Sequence, residues 1–589
     1  MPAYRIGIVE GGSLGMMCSY TTVNGTAMCE SAEWQQKWAR EKLGFKGNIV
    51  TDCTALSMIA PSPESRMTDA QNAAKAMGAG TDLNCGNGWD TQGDCRGNFS
   101  RDHGSPCHGY TAVPEAIKQG LATEAQLDTI VGRSLGLRMR TGMFDPLEGQ
   151  QYTKIPLEML GAKEHHDLAE DVAAQGLVLL QNPPHGAAPV LPLPRGKTTA
   201  VIGPHAQAER QLLGSYFSVA CPMLAQCPKK TLGCPHGSAN VKCPGADSQW
   251  CALDWSCATS PFAAISNVSG GATTTAPGCS DGVPCSPLLQ QRSFAEAIAV
   301  AKAAEQLVLM LGISSNIETE GQDRTNTTLP GMQEELALRL LALHKPTVVV
   351  LLNGGIVSVD RLLAAALPSN PPAIVEAWNP GIRGGPAIAK ALFGLTNRWG
   401  KLPVTIYDSS FSDSVKMTDM SMTSGLGRTY KYWVGPKPLF EFGHGLSLSS
   451  FALAWAEPAQ PSSVTVTNLT ALELKVSLKN TGAIRGDEVV MMYHVPSKGV
   501  QRPPQEARLP LPHRKLLDFR RVALAPAAST PLAFSLNVSS LGLVDSEGNT
   551  YLYPGEHELR LDRGPSTDDA LSLTVHVDAP GPILVDTLL

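Results

Sequence analysis

Two short stretches of this 589-residue chain place reactive side chains where apolar runs stop. In GNIVTDCTAL, residues 47–56, Ile49 and Val50 read as the buried end of a strand, and Asp52 and Cys53 follow at its tip. A carboxylate at the rim of a sheet or barrel, where ligands bind, can act as nucleophile, base or metal ligand. An Asp after a strand can equally cap the next helix. In LGISSNIETEGQDRTNTTLPG, residues 311–331, a strand gives way to a loop carrying Glu318, Glu320, Asp323 and Arg324 before a helix. Such a loop is either functional or simply polar because it meets water.

Cysteine is the other reactive type. There are 14, and eight of them crowd into residues 221–285 among Gly, Pro and Ser. Zinc is a poor reading of that cluster, because no Cys-x-x-Cys occurs in it and His236 stands alone at its centre. Adjacent His165 and His166 point to different faces of a helical segment and make no metal site. Disulfides are the expectation, and with them an oxidising, extracellular setting. Asn-x-Ser/Thr sequons at Asn24, Asn98, Asn267, Asn326, Asn468 and Asn537 point the same way, to a secreted glycoprotein. A net charge of -6 without a Lys/Arg run excludes a nucleic-acid groove, and no apolar stretch is long enough for a membrane span. The opening residues lack the basic and apolar regions of a signal peptide, so the expectation is that the true N-terminus precedes Met1.

The elements that must position these residues fall into three regions. With 43% hydrophobic and 17% charged residues the chain can bury several cores, and its length suits roughly three to five domains. Residues 1–150 alternate short apolar runs, LGMMCSY, GNIVTDC and AGTDLNC, with helical segments such as EWQQKWAREKLG and VPEAIKQGLATEAQLDTIVGRSLGLRMRTG. That pattern predicts βα units of a parallel sheet or barrel, too few to close eight strands. Residues 165–455 predict an α/β sandwich with strands in TTAVIGP, EQLVLMLGI, PTVVVLLNGG, PAIVEAW and KLPVTIY. Its helices include LPGMQEELALRLLALH, with Pro330 in the first turn. The Cys-rich stretch, about 217–290, reads as a disulfide-stapled loop excursion within it. Residues 462–580 alternate at period two and predict a fibronectin type III-like β-sandwich, after a linker at EPAQPSS. A dinucleotide-binding reading of the α/β region fails for want of Gly-x-Gly-x-x-Gly.

MMCSYTTVNGTAMCESAEWQQKWAREKLGFKGNIVTDC closely resembles the nucleophile-bearing segment of glycoside hydrolase family 3. The likeness continues in the family's order through MGAGTDLNCG, LRMRTGMFDP, AAQGLVLLQN, TTAVIGPHA, IETEGQDR, ALFGLTNRWGKLPVTIY, RTYKYW and LFEFGHGLS. The Ser-Asp-Cys variant, here Thr51-Asp52-Cys53, and a second Cys in the Asp-Leu-Asn-Cys-Gly stretch are similar to the β-xylosidase and α-L-arabinofuranosidase branch. The resemblance implies a (β/α)8-type barrel of which residues 1–150 form the C-terminal part, and a retaining glycosidase that needs no cofactor. Its substrate would be a xylo-oligosaccharide or another β-glycoside.

By that resemblance Asp52 is the nucleophile, Tyr20 an aromatic hydroxyl beside it, and Glu318 or Glu320 the general acid/base. Glu320, directly before Gly in EGxDR, is the better match. A retaining glycosidase sets two carboxyl groups roughly 5 Å apart across the scissile bond, one attacking and one protonating the leaving oxygen. Cys53 and Cys85 stand at the ends of neighbouring strands, within the reach a disulfide allows, and a bridge there would wall off the space of a hexose hydroxymethyl group. Family likeness also pairs Cys18 with Cys29. Thr21 replaces an Asn and Asn84 an Asp of the family pattern, and the Lys-His pair of the earlier barrel has no counterpart here. The expectation for this chain is therefore weak or absent turnover. The alternatives are a β-glucosidase, or a carbohydrate-binding protein without catalysis.

Overall fold

The computed structural model describes the chain apart from residues 1, 54, 57–66, 86–108, 157–158, 160, 217–257, 282–286, 366–370, 458–460, 566 and 587–589. Residues 1–157 form one compact unit and residues 158–587 another.

In the first unit, strands Gly15–Cys18 and Asn48–Thr51 run parallel, and a parallel bridge from Val50 to Leu83 extends the pair. The three apolar runs of the sequence thus lie side by side, the third as a single bridge. Cys18, Phe45, Ile49, Leu56 and Ala76 bury a core between these strands and the helices Glu33–Lys42 and Asp69–Ala79. The segment that reads as one long helix from residue 113 is two, Val113–Lys118 and Glu124–Arg140. Gly120, at φ +70°, ends the first, and Thr123 opens the second with a capping box closed by Gln126.

The second unit holds a six-stranded sheet in the order Val178–Gln181, Ala373–Glu376, Thr347–Leu352, Gln306–Gly312, Thr199–Ile202, Thr273–Ala276. Every pairing is parallel except that of Val178–Gln181 with Ala373–Glu376. Its central strands are buried along their whole length, because helices cover both faces; one face packs Leu307, Leu309 and Leu351, the other Val308, Met310 and Val350. Two expectations change here. KLPVTIY contributes only a bridge from Ile406 to Phe440, since Pro403 has no N–H for a ladder. The helix expected to start at Pro330 begins at Gln333, where the side chain of Gln333 exchanges two hydrogen bonds with the Gly312 backbone at the end of strand Gln306–Gly312.

The Cys-rich stretch is likewise more than an excursion. Residues 217–257 and 282–286 lie outside the described residues, but between them helix Pro261–Ser269 and edge strand Thr273–Ala276 belong to the α/β sandwich.

Two antiparallel-rich sheets, of three and five strands, make the β-sandwich. Strand Phe451–Trp455 already belongs to it, paired with Ala471–Asn480. Alternate residues such as Leu474, Val476 and Leu478 point into its core. Inside it His494 and His557 are fully buried, Nε2 to Nδ1 at 3.0 Å, and the other His557 nitrogen meets the Tyr553 carbonyl at 2.9 Å. Burial pushes both imidazoles down, and for His494 the neighbouring His557 and Lys515 add to it. Both are neutral in the fold, whereas the unfolded chain protonates near pH 6.5, so their stability is present above about pH 6.5 and is lost on acidification. Calorimetry of the full chain should show Tm falling from pH 7 to pH 5, with a shallower fall in His494→Gln; parallel curves would refute the assignment.

Candidate active site

At the tip of strand Asn48–Thr51 the backbone of Asp52 is held on both sides. Its N–H donates to the Cys18 carbonyl at 2.8 Å, continuing the parallel ladder, and its carbonyl accepts the Ala55 N–H at 3.0 Å in the turn that follows. Its side chain accepts the Cys53 N–H on Oδ1 at 2.8 Å. Among the described residues Oδ2 has no hydrogen-bond partner, so the carboxylate is fixed through one oxygen. The Tyr20 hydroxyl donates to the Cys53 carbonyl at 2.6 Å, which pins the turn beside the carboxylate.

Cys53 and Cys85 form a disulfide with Cα atoms 4.4 Å apart, and Cys18 and Cys29 form another at 5.1 Å. The first ties the Asp52 turn to the segment 81–85, which is stitched to the strand again where the Cys85 N–H donates to the Thr51 hydroxyl at 2.8 Å.

Sequence reasoning missed Asp82. Its buried carboxylate accepts the Ile49 N–H at 2.7 Å and pairs with Arg40 at 2.6 Å and Arg133 at 3.0 Å. A charge so placed is tolerated because both oxygens are hydrogen-bonded and two guanidinium groups face it, and it fixes the register of the strand that ends in Asp52. The available signal was an Asp between buried Thr81 and the next strand position, which demands a cationic partner.

In the second unit the acidic loop leaves strand Gln306–Gly312 and is anchored at both flanks. Asp281 Oδ2 accepts from the Ser314 hydroxyl at 2.7 Å and from the Asn316 side-chain amide at 2.9 Å. On the other flank Arg324 pairs through Nε with Glu318 Oε2 at 2.6 Å and donates through Nη2 to the Ile356 carbonyl at 2.8 Å. Thr319 and Gln322 exchange backbone hydrogen bonds at 3.2 and 3.0 Å, leaving Glu320 and Gly321 at the tip. Gly321, at φ +75°, takes the left-handed position such a turn requires. Glu318 is thus clasped by a guanidinium, while Glu320 is exposed and has no partner among the described residues. Asp323 is exposed as well.

Gly355 packs so closely on this pair that a Cβ there would lie 2.5 Å from Glu318 Oε1 and 2.9 Å from Arg324 Nη2. Among the described residues no group of three or more His, Cys, Asp or Glu is arranged to hold a metal ion, and no helix is long and apolar enough to cross a membrane.

Three family models match the chain: the glycosyl hydrolase family 3 N terminal domain over residues 1–137, the glycosyl hydrolase family 3 C-terminal domain over 177–448, and the fibronectin type III-like domain over 488–564. The chain is 29% identical to a beta-xylosidase/alpha-L-arabinofuranosidase 2 of Medicago sativa subsp. varia, over 95% of this chain and 66% of that protein. It is 28% identical to an exo-1,4-beta-xylosidase of Emericella nidulans, again over 95% and 66%. The chain therefore spans about two thirds of the length of these curated relatives. Among solved structures, a GH3 exo-beta-xylosidase in complex with a xylobiose aziridine activity-based probe superposes with a TM-score of 0.76 at 25% identity, covering 98% of this chain and 67% of that one. A beta-glucosidase from Erythrobacter marinus gives 0.73 at 26%, covering 98% and 69%.

Proposed function

This chain belongs to glycoside hydrolase family 3, and from that premise we propose that it is a retaining exo-glycosidase releasing terminal β-D-xylose, or α-L-arabinofuranose, from xylan-derived oligosaccharides. The observation that carries the reading is the state of Asp52, with one carboxylate oxygen fixed by the Cys53 N–H and the other unpartnered among the described residues. Names of relatives that include xylosidase and arabinofuranosidase support the choice of sugar. Two disulfides and the exposure of Asn24, Asn267, Asn326, Asn468 and Asn537 support a secreted, glycosylated protein; Asn98 lies outside the described residues.

In the proposed reaction Asp52 Oδ2 attacks the anomeric carbon while Glu320 protonates the leaving oxygen, giving a glycosyl-enzyme and a free alcohol. Glu320, now ionised, takes a proton from water, the water attacks the anomeric carbon, and Asp52 leaves as carboxylate with Glu320 protonated again. Glu320 is preferred over Glu318 as acid/base because Glu318 is committed to Arg324, and a carboxylate held by a guanidinium is better suited to fixing a loop than to giving up a proton. The Cys53–Cys85 bridge is assigned to the wall that excludes a hexose hydroxymethyl group.

The test is steady-state kinetics of the full chain on nitrophenyl β-xyloside, α-arabinofuranoside and β-glucoside. The pentosides should lead the glucoside in kcat/KM by about tenfold or more. Glu320→Gln should lower kcat/KM on an alkyl xyloside by roughly 10²–10⁴-fold, and much less on a nitrophenyl xyloside, whose leaving group departs without a proton. Azide should then yield the β-glycosyl azide, because it attacks an intact glycosyl-Asp52. The same behaviour in Glu318→Gln instead would move the acid/base role to Glu318, and sugar binding without turnover would replace the enzyme by a carbohydrate-binding protein.

A further inference from the structure

Glu376 closes strand Ala373–Glu376, which lies next to the edge strand Val178–Gln181 of the six-stranded sheet, and it is fully buried. Its Oε1 accepts the Trp378 N–H at 3.1 Å, while Oε2 has no hydrogen-bond partner among the described residues. Trp378 sits at φ +55°, a left-handed conformation that a bulky residue adopts only where its surroundings impose it. The Trp378 carbonyl accepts the Asn353 N–H at 3.3 Å, and the Asn353 side chain donates to the Gly355 carbonyl at 3.0 Å. Gly355 is the residue packed on Glu318 and Arg324, and the next carbonyl, of Ile356, accepts from Arg324. Further along, the Ser358 N–H donates to the Thr327 carbonyl at 2.7 Å, and their hydroxyls meet at 2.7 Å. The acidic loop thus rests on residues 353–358, and those residues are tied to the Glu376 carboxyl through the 377–378 turn.

We infer that Glu376 is a positioning residue: its carboxyl fixes the Trp378 turn and, through Asn353 and Gly355, the seat of the Glu318–Arg324 pair that carries the Glu320 hairpin. The inference rests on the proposed glycosidase reading, which gives that hairpin its catalytic role.

Burial favours the neutral acid at this position. Burial pushes the Glu376 carboxyl up to about 8, and the Trp378 N–H, the Asn353 side chain and the Ala377 N–H oppose it only in part. Neither neighbouring strand, Thr347–Leu352 nor Val178–Gln181, carries an ionisable residue, and the strand Ala373–Glu376 carries none besides Glu376. The charged groups this line of contacts reaches are Glu318 and Arg324, beyond Gly355. The folded chain therefore keeps a proton that the unfolded chain releases near the ordinary carboxyl value of about 4.5. This contribution to stability is full below about pH 4.5 and falls as pH rises towards about 8.

The test compares wild type, Glu376→Gln and Glu376→Met in the full chain. The Tm of wild type relative to that of Glu376→Gln, which cannot ionise, should fall between pH 5 and pH 8. Tryptic cleavage after Arg324, whose side chain is 12% exposed, reads the seat of the loop without needing turnover. At pH 6 it should match in wild type and Glu376→Gln and rise about tenfold in Glu376→Met, while at pH 8.5 wild type should be cut several-fold faster than Glu376→Gln. On a xyloside, Glu376→Met should lose kcat about tenfold with KM within about twofold, and Glu376→Gln should retain it. Parallel Tm curves and equal cleavage of all three proteins would overturn the inference. A wild type inert on every glycoside would instead overturn the glycosidase reading and leave the cleavage and Tm results to decide the role of Glu376.

Discussion

Asp52→Asn is expected to lower kcat/KM on an aryl xyloside by about 10⁴-fold or more, with Tm unchanged to within about 1 °C. The prediction separates chemistry from folding because the contacts of Asp52 allow it. Its backbone is held by the Cys18 carbonyl and the Ala55 N–H, neither of which sees the substitution. The side-chain oxygen that accepts the Cys53 N–H is still present in an Asn. What disappears is the negative charge on the oxygen that has no partner among the described residues, the atom assigned to attack the anomeric carbon. The smaller Asp52→Gly should be as inactive, but azide should enter the space and give the glycosyl azide with inverted configuration, opposite to the product expected from the acid/base variant. Turnover in Asp52→Asn within tenfold of wild type would sink the nucleophile assignment, whereas an equal loss of Tm and rate would mean that the variant reports on folding.

Much of this site was legible because its signals are local. Ile49 and Val50 announce a strand, Asp52 and Cys53 its tip, and the stretch carrying Glu318, Glu320, Asp323 and Arg324 a polar loop between a strand and a helix. The helix start at Thr123 was passed over although its signal is local too, since the capping box it forms with Gln126 lies within four residues. What stayed hidden is held by distant partners. Arg40 and Arg133 lie 42 and 51 residues from Asp82, and nothing near Asp82 names them. Glu376 looks like any strand residue in PAIVEAW until the turn at Trp378 and the loop at Asn353 are folded against it. The strand Thr273–Ala276 escaped because an edge strand of threonines has no apolar run to betray it. KLPVTIY misled in the opposite sense, its apolar residues being buried as Leu402 and Ile406 without a ladder to belong to.

The largest loss of stability is expected from Asp487→Ala, by about 3–5 kcal/mol, seen as a fall in Tm of about 5 °C or more. Asp487 and Glu488 open strand Gly486–Pro496 of the β-sandwich, are both buried, and face cations from the α/β sandwich as well as from their own domain. Asp487 Oδ2 lies 3.0 Å from Arg398 and 3.0 Å from Arg521, and Arg521 also donates to the Arg398 carbonyl at 2.6 Å. Glu488 meets Lys401 at 2.9 Å and Arg563 at 3.1 Å, and Arg563 continues to Asp569. Arg398 pairs besides with Asp171 on helix Lys163–Gly176. Removing Asp487 leaves two guanidinium groups facing each other with their shared anion gone, so the cost is repulsion and lost solvation more than the loss of one contact. Asp487→Asn keeps an acceptor without the charge and should fall between Ala and wild type. The double variant Asp487→Ala/Arg398→Ala should recover part of the loss, because one of the two facing cations goes with their shared anion. A Tm for Asp487→Ala within about 1 °C of wild type would show that the junction of the two domains rests on its apolar packing and that these charges only set its register.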